Sequence, residues 1–197
     1  MRTVSIGFRA KTARAIAIAL SRGDPVPAYL ARWEISLCDS HRPATGQPHH
    51  EVMDLPWAEA QAAVQPLESQ IEKVAVDRLS ALLNELGSKG CTVSSIGVVG
   101  SPDRSLARIG NAHIRAHAAE GILFRRVLEV AAAIHNLPWR SFSDRDFEEK
   151  AVSELQRKPQ DIKAALAMIG HSAGKPWRAD ERAAATAAWL MLQSATR

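Results

Sequence analysis

Apolar and polar positions alternate clearly at the start of the chain. Val4–Phe8 is a short apolar run, and Ala15–Leu20, "AIAIAL", alternates Ile with Ala as a buried strand of period two does. Alanine also suits a helix, but the following Ser-Arg-Gly-Asp-Pro is a strong turn that keeps the element short. Ala28–Leu37 predicts a third strand, with Tyr29, Ala31, Trp33, Ile35 and Leu37 on one face. Short connections between three strands imply an antiparallel meander.

Beyond a polar connection over Ser40–Asp54, the period changes to that of a helix. Ile71, Val74, Leu79, Leu82, Leu83 and Leu86 predict a helix over Pro66–Leu86, ended by Gly87 and Gly90. Cys91–Gly100, "CTVSSIGVVG", predicts a fourth strand, and a helix between strands implies a parallel crossover. Leu106–Asn136 predicts helix, broken near Gly110 or Gly121, and Leu137–Ser143 a fifth strand. Ser143 or Asp144 is the expected cap of a helix towards Leu155. Further helices are expected over Pro159–Ile169 and over the alanine-rich Ala179–Ser194. No internal repeat and no second domain emerge, so residues 1–197 are expected to form a single domain.

Composition narrows the function classes. The 197 residues suffice for one substantial core, and no run approaches the ~20 apolar residues of a membrane helix. The start lacks a signal-like segment, and two distant cysteines, Cys38 and Cys91, suggest neither a disulfide framework nor a zinc motif. A cytoplasmic protein without membrane partners is the expectation. A net charge of +4 favours nucleic-acid partners without establishing them.

The element order resembles the ribonuclease H-like fold, and its details resemble the RuvC-like branch, the Holliday-junction resolvase relatives. The similar stretches are Ile6-Gly7-Phe8-Arg9 with the following polar link, "VSSIGVVGSPDRSLARIG", "LPWRSFSDRDFEEKAV" and "ADERAAATAAWLML". The resemblance spans nearly the whole chain and implies a five-stranded mixed sheet, three antiparallel strands then two parallel, flanked by helices. It also implies carboxylates on the first strand, fourth strand and last helix that hold two divalent metal ions and activate water. The first two positions fall on Gly7 and Gly97, which have no side-chain ligand, and only Asp180 or Glu181 keeps the third. A degenerate active site follows, with enzymatic activity left open and no cofactor expected unless the chain is a Mg²⁺- or Mn²⁺-dependent nuclease. Homodimerisation is a further implication of the resemblance.

The leading expectation is a non-catalytic module that binds DNA or RNA, or a protein partner. Arg9, Lys11 and Arg14, in the first hairpin, are the candidate phosphate-binding residues, extended by Arg104 and Arg108. Their alternative role is solvated surface. The "GSPDRS" segment lacks the lysine of a phosphate loop but can offer backbone amides to an anion.

Two rival readings stay open. One is a Mg²⁺- or Mn²⁺-dependent nuclease with relocated ligands, drawn from Asp180, Glu181 and Asp103 or from His113 and His117. Asp24 and Asp39 are further displaced candidates, although aspartate at such places commonly serves turns. The other is a structural or oligomerising protein that binds no nucleic acid. In "HIRAHAAE", His113, His117 and Glu120 share one helical face and form a candidate transition-metal set; a solvated helix face is the plainer reading. His49, His50, Glu51 and Asp54 make a second cluster in a loop, without defined geometry. Trp57 and Trp177 are candidates for base stacking or for packing at helix starts.

Overall fold

The computed structural model describes residues 1–194. Three strands come first: β1 (Arg2–Lys11), β2 (Arg14–Ser21) and β3 (Ala28–Ser36). They are followed by α1 (Trp57–Ser88), β4 (Cys91–Gly100), α2 (Ala112–Ile134) and β5 (Trp139–Ser143), then α3 (Phe147–Leu155), α4 (Pro159–Ala173) and α5 (Ala179–Ser194). The sheet order is β3-β2-β1-β4-β5, with antiparallel β3-β2-β1 and parallel β1-β4-β5 pairings. This mixed α/β sheet is the one the sequence predicts.

Period-two alternation sorts each strand between two layers. Val4, Ile6, Phe8 and Ala10 of β1, with Ala15, Ala17 and Ala19 of β2, join the core formed with α1 and α2. Ile16, Ile18 and Leu20 of β2 and Val99 of β4 point the other way, into the core formed with α3, α4 and α5. The expected face of β3 is only partly right: Ile35 and Leu37 are buried beneath α1, whereas Tyr29 packs with the opposite layer. Burial pushes the Tyr29 phenol pKa up.

Several element boundaries differ from expectation. α1 starts at Trp57, nine residues ahead of Pro66, and carries that proline inside. Ala60 and Val64 are buried on the same stripe as Leu67 and Ile71, and this packing outweighs the missing proline N–H. Gly87 stays helical, and the left-handed backbone falls at Gly90 (φ 71°). The helix expected over Leu106–Asn136 breaks at Gly110, so α2 starts at Ala112 and runs on through Gly121; its start is capped by Asn111, whose side chain accepts from the Ile114 N–H at 2.9 Å. Asp146, not Ser143 or Asp144, precedes α3, without a side-chain cap. Asp144 is engaged elsewhere, as described next.

Candidate functional site

The parallel register places Gly7 of β1 directly beside Gly97 of β4. Both face α5, whose inner stripe is Ala184, Ala187 and Ala188. Small residues on both sides let the helix backbone settle onto the sheet. A Cβ at Gly7 would coincide with the Ala184 carbonyl oxygen and lie 2.5 Å from the Ala188 nitrogen. A Cβ at Gly97 would lie 2.9 Å from the Ala187 carbonyl oxygen. The space beside these two positions is therefore filled by helix backbone. One step back along the strands, the buried Ser5 and Ser95 hydroxyls hydrogen-bond at 2.7 Å.

One step forward, Arg9 donates to Asp144 at 3.2 Å and lies 3.6 Å from Asp180 in the first turn of α5. Lys11 lies 3.5 Å from the same Asp180 oxygen. Arg14 pairs with Glu34 across the β2-β3 ladder at 2.9 Å. Each predicted phosphate-binding residue of the first hairpin thus already has a carboxylate. Arg104 and Arg108 are exposed in the segment after β4 and have no ion pair among the described residues.

The proposed acid set does not assemble. Asp103 is held by Arg125 of α2, which also pairs with Glu129. Glu181 is buried and accepts the Arg178 backbone N–H at 2.8 Å, which closes the start of α5. Asp39 serves its own turn, accepting from the His41 N–H at 2.9 Å and from Gln70 at 3.0 Å. A two-metal carboxylate centre needs several hard oxygen ligands around a shared space. Gly7, Gly97 and an Asp180 tied to two cations do not fit one.

The two histidine clusters, in contrast, meet. Among the described residues, the group of three or more His, Cys, Asp or Glu able to share an ion is His50, His113 and His117, with ligand atoms within 4.8 Å of one another. His113 and His117 lie one turn apart on α2, with Nε2 atoms 3.1 Å apart. His50 comes from the segment before α1, and its ring packs edge-on against both, with centroids at 5.0 and 4.4 Å. Glu120 is not beside these ring edges but behind His50, accepting from its Nδ1 at 2.7 Å. Sequence spacing could show the i, i+4 pair; nothing local could show a third ligand 63 residues earlier. His49 separates from His50 and turns to Glu68 at 3.3 Å. Glu51 and Asp54 are outside the group.

Both tryptophans pack. Trp57, in the first turn of α1, has the Arg115 guanidinium over its ring at 5.1 Å, and Trp177 lies against Gly170 of α4. A cleft of about 380 Å³ between α3 and α5 contains Arg140 and Glu154, which bond each other twice at 2.8 Å. Glu154 raises the Arg140 pKa further above its ordinary value.

No family model matches the chain, and no curated protein matches it in sequence. Solved structures do. RuvC from Thermus thermophilus superposes with a TM-score of 0.50 at 10% identity, covering 98% of this chain and 96% of that one. The T. thermophilus RuvC complex with a Holliday junction substrate gives 0.52 at 9% identity, with the same coverage. With the sheet order and helix placement above, end-to-end coverage leaves one architecture: the chain has the RuvC-like form of the ribonuclease H-like fold.

Proposed function

We propose that this chain is a non-cleaving RuvC-like module that binds nucleic acid, with branched DNA as the first substrate class to test. The observation that carries the proposal is the seating of α5 on Gly7 and Gly97. The fold's catalytic carboxylates would arise at these positions, and here helix backbone occupies the room they need. The solved RuvC complex with a Holliday junction supports the substrate class by analogy of fold. Of the candidate cations, Arg104 and Arg108 have no ion pair among the described residues and are free to meet phosphate, with Arg9, Lys11 and Arg14 in reserve behind their carboxylates.

The experiment is binding of labelled junction, duplex and single-stranded DNA and RNA to the full chain, with Mg²⁺ or Mn²⁺ present and product lengths followed. Binding with every strand intact is the expected result. Metal-dependent cleavage lost on Asp180→Ala plus Glu181→Ala would overturn it in favour of a nuclease with relocated ligands. Absence of binding at low salt would also overturn it and direct the search to a protein partner. Solution mass, compared with 21.4 kDa for one chain, tests the homodimer that the resemblance implies.

A further inference from the structure

We propose that His50, His113 and His117 bind a divalent transition metal of the zinc class through their Nε2 atoms, with Glu120 as the carboxylate that positions His50. The donor geometry is the first argument. A tetrahedral ion with metal–nitrogen bonds of about 2.05 Å holds its ligand atoms ~3.3 Å apart. The His113 and His117 Nε2 atoms are already 3.1 Å apart, and the whole group lies within 4.8 Å.

Two groups with unused capacity give the second argument. Glu120 is fully buried; its Oε1 takes the His50 Nδ1 and backbone N–H, and its Oε2 has no hydrogen-bond partner among the described residues. Donation from Nδ1 fixes the tautomer and leaves the lone pair on Nε2 of His50. That Nε2 is buried and also has no hydrogen-bond partner among the described residues. A metal at Nε2 uses the lone pair and supplies, through the imidazole, the positive charge that a buried carboxylate requires.

The site is also held in place. His50 N–H bonds the Gln47 carbonyl at 3.0 Å, and its neighbour His49 is buried against Glu68 of α1. The metal would therefore fasten the segment before α1 to the first two turns of α2. Three protein ligands leave a fourth position, and the exposed His113 and His117 turn it towards solvent.

The test uses the full chain without an affinity tag, stripped with a chelator and titrated with Co²⁺ and then Zn²⁺. Visible absorption bands of four-coordinate Co²⁺ should saturate at one ion per chain and vanish on adding Zn²⁺. His113→Ala and His117→Ala sit on the helix surface and should keep native circular dichroism while weakening binding at least tenfold. Glu120→Gln should weaken it by about 10–100-fold. His171→Ala, exposed at the end of α4, should change nothing. Missing Co²⁺ bands at excess metal, or unchanged affinity in the His113→Ala plus His117→Ala chain, would overturn the site. The readout needs no nucleic acid, so its failure leaves the proposed function standing.

Discussion

At Gly7 a single missing side chain has two physical consequences. It offers no side-chain ligand, and it lets the Ala184–Ala188 stretch of α5 descend onto the strand. Placing an acid there therefore introduces a clash before any chemistry. Gly7→Ala is expected to cost at least ~1–3 kcal/mol by overpacking against backbone that cannot rotate away. Gly7→Asp should cost more, because a carboxylate joins the methylene in a buried place. Urea unfolding checks this: the midpoint should fall with an unchanged slope, and no metal-dependent cleavage should appear. A Gly7→Asp chain of wild-type stability would mean that α5 lifts away at little cost. Glu85 offers a second single-residue test. Its carboxylate accepts from Lys89 at 2.6 Å and from the Trp33 indole at 2.8 Å, and these two bonds lower its pKa from 4.5, Lys89 contributing most. A lowered folded-state pKa stabilises above the ordinary carboxylate range and loses that contribution as pH falls through the lowered value. Glu85→Gln should thus cost less than about 1 kcal/mol near pH 7, the group being solvent-exposed, and the difference should shrink as pH drops below about 4.5. A difference that persists unchanged into acid would assign the effect to packing instead.

Elements bounded by turns were legible in the sequence, and contacts between elements were not. β4 and α5 occupy the expected residues, because glycine ends one and polar Arg178-Ala179-Asp180-Glu181 opens the other. The first turns of α1 were not foreseen, since a proline reads as a helix start when nothing reveals that Ala60 and Val64 are buried. Arg9, Lys11 and Arg14 were visible as cations; their carboxylates, Asp144, Asp180 and Glu34, lie on other elements. Likewise His113 and His117 were legible as an i, i+4 pair, while His50 reaches them only through the tertiary fold. Glu181 shows the same lesson in an acid assigned to chemistry. Placed three residues into α5 and bonded to the Arg178 N–H, it performs the reciprocal half of a capping box. Glu181→Ala should lower stability by about 1 kcal/mol, read by thermal or urea unfolding, and leave nucleic-acid affinity unchanged. A loss of affinity without loss of stability would return Glu181 to the site.

For the whole molecule, charge counting and charge pairing give different forecasts, and salt separates them. A net charge of +4 and a cationic first hairpin suggest a broad phosphate-binding surface. Pairing reduces it: the charges of Arg9 and Lys11 are matched by Asp144 and Asp180, and that of Arg14 by Glu34. Pairs as exposed as Arg14–Glu34 are weak, so each can open for a phosphate, but opening one returns a carboxylate charge to the same surface. Counterion release turns this into a slope. On duplex DNA the logarithm of the binding constant falls against that of salt by about 0.9 per phosphate neutralised. If only Arg104 and Arg108 meet phosphate, the slope is about −2; if all five cations do, it is about −4.5. Under the proposed function the pairing predicts the shallow slope, with Arg104→Ala plus Arg108→Ala removing most of the salt dependence. A slope near −4.5 that survives this double substitution would show that the hairpin cations exchange their carboxylates for phosphate. Asp144 and Asp180 would then act as a latch over the binding surface, and Asp180→Asn would tighten binding rather than leave it unchanged.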